Sequence, residues 1–228
     1  MNTFDRQRDI MIREHLQGRG ISDQSVLKAM REVPREEFVT ERFLERAYGD
    51  YPLPLAEGQT ISQPYIVAYM TAALELSPTD RVLEIGTGSG YAAAVLSRIV
   101  TTVYSVERLS GLAQSARQRL ERLGYTNIII HEGDGTLGWP EHAPYDAIIV
   151  TAGAPDVPPP LLEQLANGGR LVVPIGRSCE VQELVRVRRI SRHDYRTEDL
   201  CGVRFVPLIG AAGWSGIERE NDSASSAH

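Results

Sequence analysis

Short apolar stretches alternate with longer amphipathic stretches through the middle of the chain. Apolar stretches of four or five residues are typical of buried strands, and the amphipathic stretches have the 3.6-residue period of helices. The pattern predicts strands over residues 82–85, 103–106, 128–131, 147–150 and 170–174, and helices over residues 91–99, 109–123 and 161–165. Strands that alternate with helices form a mostly parallel sheet with right-handed crossovers.

The pattern changes near the end of the chain. Residues 181–190 and 203–206 are apolar stretches without a clear helix between them. Successive strands without a crossover pair in antiparallel fashion. The sequence therefore predicts an α/β fold, with a doubly wound, Rossmann-like, mostly parallel seven-stranded sheet, an antiparallel edge and an N-terminal helical extension.

The first part of the chain is predicted to form helices and loops. Ser22 and Asp23 can cap a helix that has Val26 and Met30 on one face and ends before Pro34. We divide the chain into a helical extension over residues 1–55, a core domain over residues 56–212 and a polar, disordered tail over residues 213–228.

A further helix is predicted to begin at Pro64. Its apolar residues recur at helical spacing, which predicts one buried face. That face consists of Ile66, Tyr69, Met70, Ala73 and Leu74.

A glycine-rich turn follows the first predicted strand of the sheet. It has the pattern Glu84-x-Gly86-x-Gly88-x-Gly90, and the next predicted helix begins at once. Alternate glycines allow a backbone to approach a ligand that side chains would block. Strand, turn and helix in this order indicate a nucleotide-binding domain. The dinucleotide fingerprint requires a third glycine where Tyr91 stands, so this pattern argues against a dinucleotide.

An acidic residue lies within or just after each of the first three predicted strands of the sheet. These residues are Glu84, Glu107 and Asp134. Ligands of open α/β sheets bind at the carboxyl edge of the strands, where an acid can accept ribose hydroxyls. A polyphosphate needs basic partners, which the turn lacks. The acids therefore favour a nucleoside that carries positive charge, such as S-adenosylmethionine, over NAD or NADP.

Hydroxyl and amide side chains cluster over residues 58–65, at the start of the helix predicted from Pro64. Unpaired N–H groups at a helix start favour an anion. Two interpretations of Ser62 remain open: it only caps the helix, or it helps to hold an acceptor carboxylate near the cofactor. A carboxylate is ionised at pH 7 and needs no general base to attack a sulfonium methyl.

Composition narrows the class of protein. The 228 residues are 42% hydrophobic, which suits one domain with a full-sized core, and the net charge of −6 disfavours nucleic-acid binding. No apolar stretch approaches the length of a membrane span, and Cys179 and Cys201 show no close motif. We therefore expect a cytoplasmic protein that does not bind membranes. The five histidines lack the spacing of metal ligands, so no metal is expected.

These motifs resemble the protein-L-isoaspartate O-methyltransferase family from about residue 33 to residue 208. The segments that carry the resemblance are residues 33–35, 47–50, 52–54, 58–65, 82–91, 133–135, 143–146 and 205–208. The glycine turn alone indicates only class I methyltransferases. The Thr-Ile-Ser-Gln-Pro segment at 60–64 and the Phe-Val-Pro-Leu segment at 205–208 are more specific.

The resemblance implies methyl transfer from S-adenosylmethionine to the α-carboxyl group of L-isoaspartyl residues in damaged proteins and peptides. We expect the protein to be a monomer. S-adenosylhomocysteine is the implied product. Ser62 matches the active-site serine of the family. The implied cofactor-binding residues are Thr60, Ile61, Glu84, Gly86, Thr87, Gly88, Gly90, Glu107, Arg108, Asp134 and Gly135. The implied substrate-binding residues are Ser62, Gln63 and Val206.

The chain departs from the usual family sequence at Glu36, Glu37 and Glu57. These added acids near the entrance could repel acidic peptides. Alternative functions remain open at this point. They are a class I methyltransferase with a different small-molecule or protein acceptor, a Rossmann-type oxidoreductase, and a binding module without catalysis.

Overall fold

Nine strands form two sheets in the computed structural model, which describes residues 3–177 and 181–215. The strands are β1 (Leu53–Pro54), β2 (Thr60–Ile61), β3 (Arg81–Ile85), β4 (Thr102–Glu107), β5 (Ile128–Glu132), β6 (Tyr145–Val150), β7 (Leu165–Ile175), β8 (Gln182–Arg189) and β9 (Tyr195–Val203). The first two strands form a small antiparallel pair, and the other seven form one sheet in the order β5-β4-β3-β6-β7-β8-β9.

The large sheet is parallel from β5 to β7 and antiparallel from β7 to β9. This confirms the predicted fold class. The chain builds outward from β3 to β5, and then returns to place β6 on the other side of β3. The strand order therefore reverses at β3, which is where open α/β sheets bind their ligands.

Six α-helices lie in the described residues: α1 (Thr3–Ile10), α2 (Gln24–Glu32), α3 (Pro64–Ala73), α4 (Tyr91–Ser97), α5 (Ser110–Arg122) and α6 (Pro159–Glu163). A π-helical turn, Met11–Leu16, continues α1. Short 3-10 turns occur at Gln17–Arg19, Arg35–Phe38, Glu41–Arg46, Ala56–Gly58, Gly135–Leu137 and Pro140–His142.

The N-terminal helices share one hydrophobic core with the sheet. Met11 and Met30 belong to the same buried cluster as Val82 of β3 and Leu96 of α4. Asp23 caps α2 as expected, because its carboxylate accepts hydrogen bonds from two backbone N–H groups of the first turn. The division of the chain into three regions stays a prediction, and residues 216–228 of the tail lie outside the described residues.

The last predicted strand is wrong in position. The structure places β9 at Tyr195–Val203 rather than at residues 203–206. This strand is the edge of the sheet and is largely exposed, so its sequence lacks the apolar pattern that reveals a buried strand. The apolar residues that follow it form no regular strand, although Pro207 makes one isolated bridge to Gly153.

The buried face predicted for α3 is only partly correct. Met70 and Leu74 are buried, but Ile66 and Tyr69 are half-exposed, while Val67 is buried instead. Because α3 is apolar on all sides, its period does not identify which side faces the core.

Arg170 of β7 forms a nearly buried ion pair with Asp80, the residue before β3, and also binds the end of α3. The Arg170 guanidinium contacts the Asp80 carboxylate at 2.7 Å, and both side chains are nearly buried. The same guanidinium donates to the carbonyl groups of Leu74 and Glu75. One side chain therefore satisfies two free carbonyl groups where the helix stops.

We predict that Arg170→Met lowers the free energy of unfolding by about 3–5 kcal/mol, because it leaves the Asp80 carboxylate buried without its partner. Urea unfolding of the purified protein measures this. Lys28→Met is the control, since Lys28 and Glu32 form an exposed pair at 3.8 Å, and such pairs contribute at most about 1 kcal/mol. A loss for Arg170→Met as small as that of the control would contradict the prediction.

Candidate functional site

Three adjoining cavities lie where β3, β4 and β6 end. The turn cavity is lined by residues that include Gln59, Gly86, Gly88, Glu107, Arg108 and Gly135. The inner cavity is lined by residues that include Ile61, Val67, Met70, Thr87, Gly88 and Tyr91. The open groove, of about 990 Å³, is lined by residues that include Gln63, Tyr65, Tyr69, Cys201, Arg204 and Phe205.

A few residues belong to more than one cavity. Thr60 and Thr151 line all three. Ser62 lines the inner cavity and the open groove, and Val206 lines the turn cavity and the open groove. The structure therefore places Ser62 where the inner cavity meets the open groove.

Gly86 and Gly88 of the glycine turn have different surroundings. A Cβ atom at Gly86 would lie 2.5 Å from the Thr151 hydroxyl, which donates to the carbonyl groups of Ile85 and Gly86. Gly88 has φ of +53° and borders the open space of the turn and inner cavities. Gly86 is therefore required by close packing within the protein, whereas Gly88 keeps space free for a ligand.

Glu107 holds the turn from the neighbouring strand. Its carboxylate accepts hydrogen bonds from the backbone N–H groups of Gly88, at 2.9 Å, and Leu109, at 3.0 Å. Its side chain also lines the turn cavity. A carboxylate offers about four acceptor positions, so Glu107 can accept ligand hydroxyls in addition to these two N–H groups.

Glu84 lies deeper than the sequence indicates. It is fully buried, and it accepts a hydrogen bond from the Ser105 hydroxyl, which in turn is 2.6 Å from the Thr87 hydroxyl. Burial raises the pKa of the Glu84 carboxyl to about 8; the hydrogen bond from Ser105 opposes this increase and the charge of Glu107 adds to it. Without a ligand, Glu84 is therefore mostly neutral at pH 7. It is linked to Thr87 of the turn through the Ser105 hydroxyl.

The Asp134 carboxylate accepts hydrogen bonds from groups of the protein itself. It accepts from the backbone N–H and the hydroxyl of Thr136, and from the backbone N–H of Ala211. The neighbouring Gly135 lines the turn cavity. Of the three acids, Glu107 lines one of these cavities, whereas the carboxylates of Glu84 and Asp134 are engaged in contacts within the protein. A direct role of Glu84 and Asp134 in binding the cofactor stays a prediction.

The segment that contains Ser62 begins in β2 and ends at α3. Gln63, not Ser62, is the N-cap residue of α3, and its side chain makes no capping hydrogen bond. The Gln63 amide donates instead to the Asp50 carbonyl group, and the Asp50 carboxylate accepts from the Tyr65 N–H. These contacts do not support the interpretation that Ser62 only caps the helix.

The three added acids lie away from the open groove. Glu36 pairs with Arg8 and accepts from Tyr48, and Glu37 pairs with Arg122. The other acid, Glu57, lies against Gly111 at the start of α5. The expectation that they could repel acidic peptides at the entrance therefore has no support in this structure.

Among the described residues, the charged side chains that line the open groove are both arginines. Arg19 and Arg204 line it, and Arg19 also pairs with Asp50 at 2.7 Å and stacks on Tyr65 at 3.5 Å. Tyr65 and Tyr69 stack on each other with ring centroids 5.7 Å apart. Within the described residues, the groove thus combines aromatic rings with guanidinium groups.

Several residues of the site were missed from the sequence. Thr151 lines all three cavities and follows β6 directly. The rule used for acids after the first three strands of the sheet also applies to the fourth, and would have identified it. The stacked Tyr65 and Tyr69 were missed because the sequence placed Tyr69 in a buried face. Of the predicted residues, Gly90 packs beside Leu120 of α5 rather than lining a cavity.

The described residues contain neither a membrane-spanning helix nor a cluster of metal ligands. None of the helices over residues 3–177 and 181–215 is long and apolar enough to span a membrane. No group of three or more His, Cys, Asp or Glu side chains in these ranges could hold a metal ion. Cys201 is a free, half-buried thiol, whereas Cys179 lies outside the described residues.

Comparison with known proteins gave consistent matches. The family model for protein-L-isoaspartate(D-aspartate) O-methyltransferase (PCMT) matches residues 6–213. Protein-L-isoaspartate O-methyltransferase 2 of Pelobacter propionicus is 72% identical over 91% of this chain and 92% of its own length. Protein-L-isoaspartate O-methyltransferase 1 of Geotalea uraniireducens is 71% identical over 93% of this chain and 97% of its own length.

Solved structures agree in fold. A protein-L-isoaspartate O-methyltransferase superposes with a TM-score of 0.82 at 35% identity, over 94% of this chain and 69% of that chain. A putative protein-L-isoaspartate O-methyltransferase from Plasmodium falciparum, in complex with S-adenosyl-L-homocysteine, superposes with a TM-score of 0.75 at 26% identity. That match covers 92% of this chain and 99% of the other.

The raised pKa of Glu84 predicts a pH dependence of stability. Because the folded state holds the Glu84 proton to about pH 8 and an unfolded chain loses it near the ordinary value of 4.5, this group lowers stability progressively as pH rises from about 4.5 to about 8. Below that window both states are protonated and the cost is absent. Glu84→Gln removes the cost, so we expect the stability of the variant relative to the wild type to rise by about 3–4 kcal/mol between pH 5 and pH 8.

Urea unfolding of both ligand-free proteins at the two pH values measures this difference. Glu132→Gln is the control, because Glu132 is exposed at the end of β5. A difference between Glu84→Gln and the wild type that does not change with pH would contradict a neutral, buried Glu84.

Proposed function

Because the chain belongs to the protein-L-isoaspartate(D-aspartate) O-methyltransferase family, an enzyme family that uses S-adenosylmethionine, we propose that it repairs damaged proteins and peptides by methylating the α-carboxyl group of their L-isoaspartyl residues. The observation that supports this proposal most strongly is the position of Ser62. Its side chain borders both the inner cavity beside the glycine turn and the open groove. A group held at Ser62 from the groove side would therefore face the donor side of the site.

The cavity walls fit the cofactor. Gly88 leaves the space that a Cβ would fill, and its neighbour Glu107 has free acceptor positions for ribose hydroxyls. When bound, S-adenosylmethionine supplies a methyl group on a positively charged sulfur. We assign Thr60, Ile61, Thr87 and Arg108 to the walls of this site. Glu84 and Asp134 support it through the hydrogen bonds that fix the turn and Gly135.

Ser62 orients the acceptor. Its hydroxyl can donate one hydrogen bond to a carboxylate, which aims one oxygen of that group toward the donor side. The carboxylate is already ionised at pH 7, so the site needs no general base. The enzyme contributes position and exclusion of water, with Gln63 and Val206 as neighbouring contacts for the peptide.

The open groove suits a peptide acceptor. It is much larger than the turn cavity and the inner cavity, so that the rest of a polypeptide can extend away from Ser62. We further propose that the protein acts as a monomer in the cytoplasm without binding nucleic acid or membranes. The net charge of −6 supports the part of this proposal that concerns nucleic acid.

We predict that the protein transfers labelled methyl groups from S-adenosylmethionine to an isoaspartyl peptide and not to the matched aspartyl peptide. The product is a methyl ester, so mild base should release the label as methanol. A base-stable label would indicate methylation of nitrogen and would contradict the proposal. Tight cofactor binding without any transfer would favour a binding module instead.

We predict that Ser62→Ala lowers kcat for the isoaspartyl peptide by about 10- to 100-fold, because it removes one hydrogen bond to a charged acceptor. The affinity for S-adenosylhomocysteine, measured by calorimetry, should change less than about threefold. Ser22→Ala is the control, since Ser22 lies in the N-terminal extension. Equal losses in kcat and cofactor affinity would show that Ser62 is structural.

We predict that Gly88→Ala lowers the affinity for S-adenosylhomocysteine by about tenfold or more, because the added methyl group occupies ligand space. Gly124→Ala is the matched control: Gly124 also has positive φ, +77°, and has open space around it. Both variants should lose about 1–2 kcal/mol of stability from backbone strain. Unchanged affinity in Gly88→Ala would remove Gly88 from the proposed site.

A further inference from the structure

Arg35 is a fully buried guanidinium outside the site described so far. It opens the 3-10 turn Arg35–Phe38 of the N-terminal extension and has no solvent exposure. Removing a guanidinium from water costs several kcal/mol, and an apolar side chain of similar volume often gives equal or better stability at such a position. Stability alone is therefore a weak reason for an arginine here.

The contacts of Arg35 are to backbone carbonyl groups rather than to carboxylates. Its Nε donates to the Ala47 carbonyl at 2.8 Å, and its Nη2 donates to the Ser62 carbonyl at 2.7 Å. Its third nitrogen, Nη1, is buried without a hydrogen-bond partner among the described residues. The planar, forked guanidinium can hold two carbonyl groups at a fixed separation, which a lysine or an apolar side chain cannot do.

Arg35 also contacts the donor side of the site. Its guanidinium carbon lies 4.6 Å from the centroid of the Tyr91 ring. Tyr91 is the first residue of α4, directly after the glycine turn, and its ring is fixed by an edge contact with Phe38. One side chain thus touches the backbone of Ser62 and the residue that directly follows the turn.

We infer that Arg35 is a positioning residue for methyl transfer, which sets the backbone of Ser62 at a fixed place relative to the glycine turn. This inference rests on the proposed function, because it needs Ser62 to orient the acceptor. The carbonyl that Arg35 holds and the Ser62 hydroxyl belong to the same residue, so movement of that carbonyl also moves the hydroxyl. A misplacement of about 1 Å can reduce a rate by about 100-fold.

A second arginine offers a matched comparison on the donor side. Arg119 of α5 is partly buried and donates to the Ser89 carbonyl at 3.0 Å, within the glycine turn. It holds the turn as Arg35 holds Ser62, but it does not contact Ser62. If each arginine acts on its own loop, the two should affect different steps.

A double-mutant cycle between Arg35 and Ser62 tests the inference. Arg35→Met should lower kcat for the isoaspartyl peptide by about tenfold or more and change the Kd for S-adenosylhomocysteine less than about threefold. In the Ser62→Ala background the same substitution should lower kcat less than about threefold, because the group it positions is already absent. Arg35→Lys should retain part of the wild-type kcat.

Arg119→Met is the control in the same cycle. It should raise the Kd for S-adenosylhomocysteine, and its effect on kcat should be the same in the wild-type and Ser62→Ala backgrounds. If Arg35→Met does not fold, as judged by thermal unfolding, Arg35→Lys replaces it throughout the cycle. A loss of kcat that is equal in both backgrounds, or a parallel loss of cofactor affinity, would overturn the inference.

The same measurements separate this inference from the proposed function. If the wild type does not methylate the isoaspartyl peptide, the proposed function fails. If the wild type methylates it and the Arg35–Ser62 cycle is additive, the proposed function stands and the role of Arg35 fails.

Discussion

Parallel pairing of β3 with β4 on one side and β6 on the other fixes the position of the site. The pairing continues one residue past the strand ends, because the Gly86 N–H donates to the Val106 carbonyl and the Thr151 N–H donates to the Ile85 carbonyl. Three adjacent strand ends therefore bring a glycine, an acid and a threonine to the same edge. The glycine turn starts at this edge, where Gly86 lies against the Thr151 side chain.

Buried or half-buried polar side chains hold the loops at this edge. Glu107, Arg119 and Arg35 each bond to backbone groups of a loop that borders a cavity. Burying such a polar side chain costs free energy. Its hydrogen bonds offset this cost only where the backbone group would otherwise lack a partner. The site is thus formed by loops whose backbone is fixed from inside the protein, while the surfaces toward the cavities remain free.

The fold class and the family were predictable from the sequence, and both are confirmed. The strands that cross the core are apolar and the glycine turn is distinctive, so local pattern was sufficient there. It was not sufficient at β9, whose exposed edge carries no apolar period, or on α3, which is apolar on every side. For both elements the packing partners decide the outcome, and those partners are distant in sequence.

The sequence predicted which residues lie at the site better than it predicted what each of them does there. The sequence predicted that Ser62, Gly88 and Glu107 belong to one site, and all three line the adjoining cavities. It did not separate Glu107 from Glu84 and Asp134, because an acid at a strand end looks the same in sequence whether or not it lines a cavity. Only the burial of Glu84 and the contact of Asp134 with Ala211 distinguish these cases. Arg35 carried no recognisable signal beyond its place in a family segment.

One wall of the site comes from a part of the chain that is synthesised late. Residues 206–209 line the turn cavity, and they are joined to the core through hydrogen bonds between Gly153 and both Val206 and Leu208. When β7 has left the ribosome, the parallel part of the sheet and the glycine turn are complete in sequence, but this wall is still missing. This wall therefore comes from residues that follow the last strand of the sheet, and the turn cavity is complete only in a chain that extends past residue 209.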